Sequence, residues 1–212
     1  IDLSKEYWEN VFTLFLNEYA RGRTPNPDVL CNREIKFKAF VDQARLLSAD
    51  LVATGHYVNS RFDGKKLTLL KGLDHSKDQS YFLHSLTQNQ LSSAVFPVGG
   101  LTKAEVRQIA KKSGISTYDK KDSTGICFIG ETHFRKFLNR FLPLKKGPIM
   151  DLGGREIGEH HGAVYYTLGQ RKGLGIGGVK NAGEDPWFVV GKDVAKNIIF
   201  AAQGADNPAL LE

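Results

Sequence analysis

Apolar residues recur at helical spacing over residues 5–21, at Tyr7, Val11, Leu14, Phe15 and Tyr19, with Ser4 placed to cap the start and Gly22 to stop the end. A second helix is predicted over residues 34–47, burying Ile35, Phe40, Ala44 and Leu47. Between them, Thr24-Pro-Asn-Pro-Asp28 carries two prolines, which remove backbone donors and push their predecessors into extended conformations. That stretch reads as a stiff loop, and it leaves Cys31 between the loop and a helix N-terminus. The short apolar run 50–56, ended by Gly55 and His56, reads as a buried strand of a parallel sheet entering a functional loop. Ligands of open α/β sheets sit outside the carboxyl ends of the strands, so Gly55 and His56 fall at the expected crevice.

Residues 57–72, with Asp63-Gly64 at their centre, read as a hairpin. Thr87–Gln90 and Thr102–Glu105 have capping-box spacing, and the second opens a helix ending at Gly114. A basic amphipathic helix is predicted over residues 132–141, closed by Pro143. Beyond Lys146 the texture changes. Nine of the 22 glycines lie between Gly153 and Gly178, and β-like runs occupy 186–190 and 197–202. The pattern predicts an α/β domain over 1–131 and a smaller, glycine-rich, mixed domain over 132–212.

With 212 residues, 41% apolar and 25% charged, the chain can build a core, which excludes disorder and a disulfide scaffold. No window approaches the roughly 18 continuous apolar residues of a transmembrane helix, and residues 1–21 are unlike a signal peptide, so a soluble cytoplasmic chain is expected. A start at Ile1 and a single methionine, Met150, suggest a piece of a longer protein. The formal net charge is +6.

The two cysteines, Cys31 and Cys127, and six histidines have no zinc-site spacing, so no metal is expected. A helix N-terminus with Arg33 and Lys36 nearby would favour a Cys31 thiolate, Glu34 opposes it, and a packing role stays open. Cys127, in Asp122-Ser-Thr-Gly-Ile-Cys-Phe-Ile-Gly-Glu131, is equally ambiguous between apolar neighbours and Lys120 and Lys121. Arg135, Lys136, Arg140, Lys145 and Lys146, with Gln170-Arg171-Lys172 and the aromatic residues Phe134, Phe137, Phe141, Tyr165 and Tyr166, would suit a phosphate backbone and unstacked bases. The alternative is a solvated helix face over a core. Leu168-Gly-Gln-Arg-Lys-Gly-Leu-Gly-Ile-Gly-Gly178 lacks the Gly-Lys-Ser/Thr ending of a P-loop and reads as a loop near a polyanion.

In combination, Thr24–Phe37, Ala53–Tyr57, Lys77-Asp-Gln-Ser-Tyr-Phe82, Asp122–Glu131 and Leu168–Gly175 resemble, in this order, the motifs of the tRNA-specific 2-thiouridylases. The resemblance implies an adenine-nucleotide-hydrolase-like catalytic domain, present in part, followed by a central domain. It also implies ATP-dependent replacement of the wobble uridine C2 oxygen by sulfur, with Mg as the ATP counter-ion and no tightly bound cofactor. By position, Cys31 matches the family's nucleophile and Cys127 its persulfide carrier, the two forming a disulfide on release. Asn26, Pro27 and Asp28 match the loop holding the target base, Gly55 a nucleotide contact, and Lys77, Asp78 and Gln79 a tRNA contact. Implied partners are tRNAs of the Lys, Glu and Gln types and a sulfur donor such as a cysteine desulfurase or relay protein, with no membrane.

The family's Ser-Gly-Gly-x-Asp-Ser ATP loop and C-terminal β-barrel have no counterpart in these 212 residues, so the chain alone is expected to be inactive in adenylation. Two other readings compete. One is a non-catalytic tRNA-binding module with structural cysteines. The other is a thiol–disulfide redox protein, against which the missing Cys-x-x-Cys argues.

Overall fold

The computed structural model describes residues 1–121, 137–142, 145–179 and 182–210. Cys127, Arg135, Lys136 and the motif 122–131 lie outside the described residues, as does the first half of the basic helix expected over 132–141. The chain divides into two compact units, Ile1–Thr13 with Asn26–Gly130, and Leu14–Pro25 with Glu131–Glu212.

In the first unit, β1 (Val52–Ala53) and β4 (Ala94–Val95) pair in parallel, the signature of an α/β arrangement. β2 (Val58–Phe62) and β3 (Leu67–Lys71) form the expected antiparallel hairpin. Its turn is held by Asp63 Oδ1, which accepts from the Lys65 and Lys66 amides. The core gathers Phe37, Val58, Leu83 and Ala94, with Leu69, Leu86 and Phe96 packed on it. Both capping boxes form, at Thr87 with Gln90 and at Thr102 with Glu105. The helix Lys103–Lys112 ends before Gly114, whose φ of +70° terminates it.

Three expectations are corrected. The first helix begins at Ser4 itself, and Ser4 donates to Asp2 Oδ1 rather than capping. The strand β1 is not buried: Ala53 and Leu51 are exposed, because one parallel neighbour covers so little of a two-residue strand. The second helix starts seven residues early, as Pro27–Leu30, continues as a π-helical segment Cys31–Ala39, and ends as Phe40–Leu46. The wider π turn shifts the phase of every later residue. Consequently Phe37 and Val41 are buried, while Phe40 and Leu47, expected inside, are exposed.

The second unit holds a four-stranded sheet in the order β6-β5-β8-β7, from β5 (Gly147–Met150), β6 (Glu156–His160), β7 (Trp187–Asp193) and β8 (Ile198–Gln203). β5 and β8 are parallel and the other pairs antiparallel. Ile149, Val189, Ile199 and Ala201 are fully buried. His160, also fully buried, accepts from the Gly162 amide through Nδ1, so Nε2 carries the proton and donates to Asn197 O at 3.0 Å. The half-buried Lys192 donates to the Tyr166 and Gly22 carbonyls. Tyr165 and Tyr166, weighed as stacking surfaces for bases against a place in the core, are buried, Tyr166 edge-on to His160.

Candidate functional site

The candidate residues of the first unit lie on three segments. The first is the start of the helix at Pro27. Asn26 is extended and its side chain accepts from the Asp28 amide at 3.1 Å, an N-cap bond. Pro27 occupies the first helical position, where its missing N–H costs nothing and its fixed φ suits the helix. Asn26, Pro27 and Asp28 are therefore a cap and a first turn, and the stiff loop ends before them. Asp28 and Cys31, three apart, are neighbours on the helix surface.

Cys31 follows one turn later, with its own N–H bonded to Pro27 and Asp28 carbonyls. It is 8% exposed and clusters with Val11 and Ile35, against which Leu3, Tyr7 and Leu30 pack. The helix-terminus argument for its reactivity thus loses its geometric basis, since the dipole effect fades within the first turn. Arg33 is also engaged elsewhere: Glu34 accepts from Arg33 Nε at 2.7 Å and from Lys38 Nζ at 2.8 Å.

Two amide side chains grip the turn beyond Cys31. Asn32, 2% exposed, donates from Nδ2 to Phe82 O at 3.4 Å, while its Oδ1 has no partner among the described residues. Gln90 donates from Nε2 to Arg33 O at 2.6 Å. In the sequence Asn32 has no signal, and Gln90 reads only as a capping-box residue.

The second segment is the exit from β1. A Cβ at Gly55 would meet nothing within 4 Å, so the backbone there is open to a ligand. His56 beside it is buried, bonded through Nδ1 to the Thr54 hydroxyl, with its ring 5.9 Å from that of Phe37. Burial, aided by repulsion from Lys36, pushes its pKa down to about 4, so the imidazole is neutral at physiological pH.

The third segment is 77–79. Asp78 accepts from the Gly72 amide at 2.8 Å and from the Ser80 hydroxyl at 2.6 Å. Burial opposes its ionisation, yet the Ser80 and Gly72 bonds outweigh it and hold its pKa below the ordinary value. Gln79 clasps Tyr57 twice, its Oε1 accepting from the Tyr57 amide at 3.0 Å and its own amide donating to Tyr57 O at 3.2 Å. Gln79 thereby fixes the backbone that follows Gly55 and His56, a bond across 22 positions invisible in sequence, while Asp78 ties its own loop to Gly72.

In the second unit, the loop 168–178 lines a cavity of about 550 Å³ with Arg171, Leu174, Ile176, Glu184, Trp187 and Gln203 around it. Gln170 is spent on the loop itself, bonding the Thr167 amide and Lys172 O. Lys146, read as part of a basic face, pairs with Glu159 at 2.7 Å.

Residues 1–131 match the family described as the tRNA methyl transferase HUP domain, and residues 135–203 the one described as its PRC-barrel domain. Over all 212 residues the chain is 59% identical to the tRNA-specific 2-thiouridylase MnmA of Yersinia enterocolitica and 58% to that of Photorhabdus laumondii, covering 57% and 58% of their lengths. It is 58% identical over 209 residues to the protein of the same name from Pseudomonas aeruginosa, covering 99% of this chain and 56% of that one. The chain thus spans little more than half the length of these relatives.

Proposed function

Because the chain belongs to the tRNA-specific 2-thiouridylase family, we propose that it carries the sulfur-transfer part of an enzyme that replaces the C2 oxygen of the wobble uridine in tRNA by sulfur. The observation that carries this reading is local: the trio Asn26, Pro27 and Asp28 forms the first turn of the helix bearing Cys31. A base held by that turn would lie within one helical turn of a thiol, on an element already ordered by its cap.

ATP, with Mg as counter-ion, would supply the adenylation that makes the C2 oxygen a leaving group. The open backbone at Gly55 fits a nucleotide at the carboxyl end of β1. The other steps fall to the chain's own residues. The terminal sulfur of a Cys127 persulfide bonds to C2 as the activated oxygen departs. The Cys31 thiolate then attacks the Cys127 sulfur, forming the Cys31–Cys127 disulfide while the persulfide S–S bond breaks and its electron pair leaves with the thiouridine. The persulfide comes from a cysteine desulfurase or relay protein, and a thiol reductant restores both cysteines. Lys77 contacts tRNA, with Asp78 and Gln79 shaping that strip, and the substrates are tRNAs of the Lys, Glu and Gln types in the cytoplasm. No helix among the described residues is long and apolar enough to cross a membrane.

The test is a non-reducing peptide map of the full-length protein after exposure to a persulfide donor, before and after ATP and tRNA. A one-sulfur gain on the Cys127 peptide, replaced by a Cys31–Cys127 cross-link once tRNA is thiolated, is expected. Thiolated tRNA without either species would overturn the assignment. A second expectation concerns Gly55. Gly55→Ala puts a methyl group into open space, so the melting temperature should hold while KM for ATP rises by about tenfold, a loss of ~1.4 kcal/mol of binding. Unchanged ATP kinetics would remove Gly55 from the nucleotide site.

A further inference from the structure

We propose that Gln90 is a positioning residue for Cys31, acting through the π-helical turn that the thiol begins. The proposal rests on the reading of Cys31 as a reacting thiol. π-Helical hydrogen bonding is rare, and its single-turn form is frequent at functional sites. Here the segment Cys31–Ala39 is braced from outside within its first three residues. Asn32 ties to Phe82 O, and Arg33 O receives the Gln90 amide across 57 positions of sequence.

Gln90 is suited to this by having no freedom left. Its Oε1 accepts from the Thr87 amide and hydroxyl at 3.0 and 3.2 Å, which fixes which end of the amide is which. Its Nε2 therefore faces Arg33 O as a donor with one geometry. The capping box at 87–90 and the turn at 31–33 thus share a single side chain. The access of Cys31, packed between Val11 and Ile35, depends on where that turn is held.

Two substitutions separate the halves of the device. Gln90→Glu keeps an acceptor for Thr87, since glutamate serves a capping box as well, but has no N–H for Arg33 O. Thr87→Ala removes the hydroxyl of the box, while the Thr87 backbone amide still holds Gln90 Oε1 and so keeps the Gln90 bond to Arg33 in place. The measurement is the rate of iodoacetamide modification of Cys31 in the full-length protein from pH 6 to 10, read by mass spectrometry on the Cys31 peptide, alongside thermal melting.

Gln90→Glu should change the Cys31 rate by about tenfold, short of the roughly 10²-fold that a misplaced reacting group can cost, with little change in melting. Thr87→Ala should lower the melting temperature and leave the Cys31 profile at wild type. A wild-type Cys31 profile in folded Gln90→Glu overturns the proposal. So does a shifted profile in Thr87→Ala, because reactivity would then follow helix stability rather than the Arg33 bond; this arm stands even if Gln90→Glu does not fold. Alkylation requires neither ATP nor tRNA, so its failure is distinct from failure of the thiolation reading. In thiolation assays the same Gln90→Glu variant should lose kcat and keep KM for tRNA.

Discussion

Cys31→Ser in the full-length protein is expected to reduce tRNA thiolation by about 10³-fold or more, the scale at which loss of a nucleophile is felt. The substitution removes one atom type and little volume. A serine hydroxyl, however, is not ionised at neutral pH and cannot attack the Cys127 sulfur to form a disulfide and expel the thiouridine sulfur. Chemistry should therefore halt after sulfur reaches C2, with tRNA held through a Cys127-linked sulfur. That stalled adduct, visible on a denaturing gel and released by dithiothreitol, distinguishes a lost resolving thiol from a lost binding site. The fold should survive at some cost, since a hydroxyl now lies among Val11, Ile35 and their neighbours. Turnover must therefore be measured where melting confirms the variant folded. A tRNA-binding module with structural cysteines predicts the opposite: thiouridine content unchanged in Cys31→Ser and in Cys31→Ser with Cys127→Ser. Wild-type turnover in folded Cys31→Ser would end the sulfur-transfer reading.

What the sequence made legible was local. The hairpin at 58–71 and the boxes at Thr87 and Thr102 rest on bonds within a few residues, and all three form as their residue types dictate. The helix of Cys31 shows the limit. An Asn-Pro pair is itself a start signal, cap followed by first position, but two nearby prolines favoured a loop. Once the helix starts at Pro27, Cys31 leaves the N-terminus and its neighbours change. The π-helical segment then defeats periodicity: a 3.6-residue repeat selects Phe40, whereas the wider turn buries Phe37 and Val41. Nor could spacing reveal Gln79 on Tyr57 or Gln90 on Arg33, because each bond joins polar residues through tertiary placement alone. The motif resemblance selected Cys31, Gly55 and the trio at Asn26. The packing assigns their supports to residues no motif singled out.

Acidification from pH 7 to pH 5 should weaken the fold by about 2 kcal/mol through His56 alone, and His56→Gln should abolish that part of the loss. The folded pKa is about 4 and the ordinary value 6.5, so above pH 6.5 the side chain is neutral in both states and the full stability is present. Below 6.5 the unfolded chain takes up a proton that the folded chain refuses. Stability therefore falls as pH drops through the window from 6.5 to 4, by ~3 kcal/mol over its whole width at ~1.36 kcal/mol per pH unit. Domains are commonly stable by only about 5–15 kcal/mol, so this is a large share. The cause is geometric: the ring is enclosed beside Phe37, Thr54 holds Nδ1, and Lys36 repels a second positive charge. Carboxylates such as Asp78 and Glu34, with pKa values below their ordinary range, add their own loss at lower pH. The informative quantity is thus the difference between wild type and His56→Gln in urea unfolding at pH 7 and pH 5. Parallel losses in the two proteins would mean that His56 takes up a proton in the folded state as readily as in the unfolded one. The expected divergence would establish a neutral imidazole next to Gly55, able to donate or accept one hydrogen bond without bringing charge to the proposed nucleotide site.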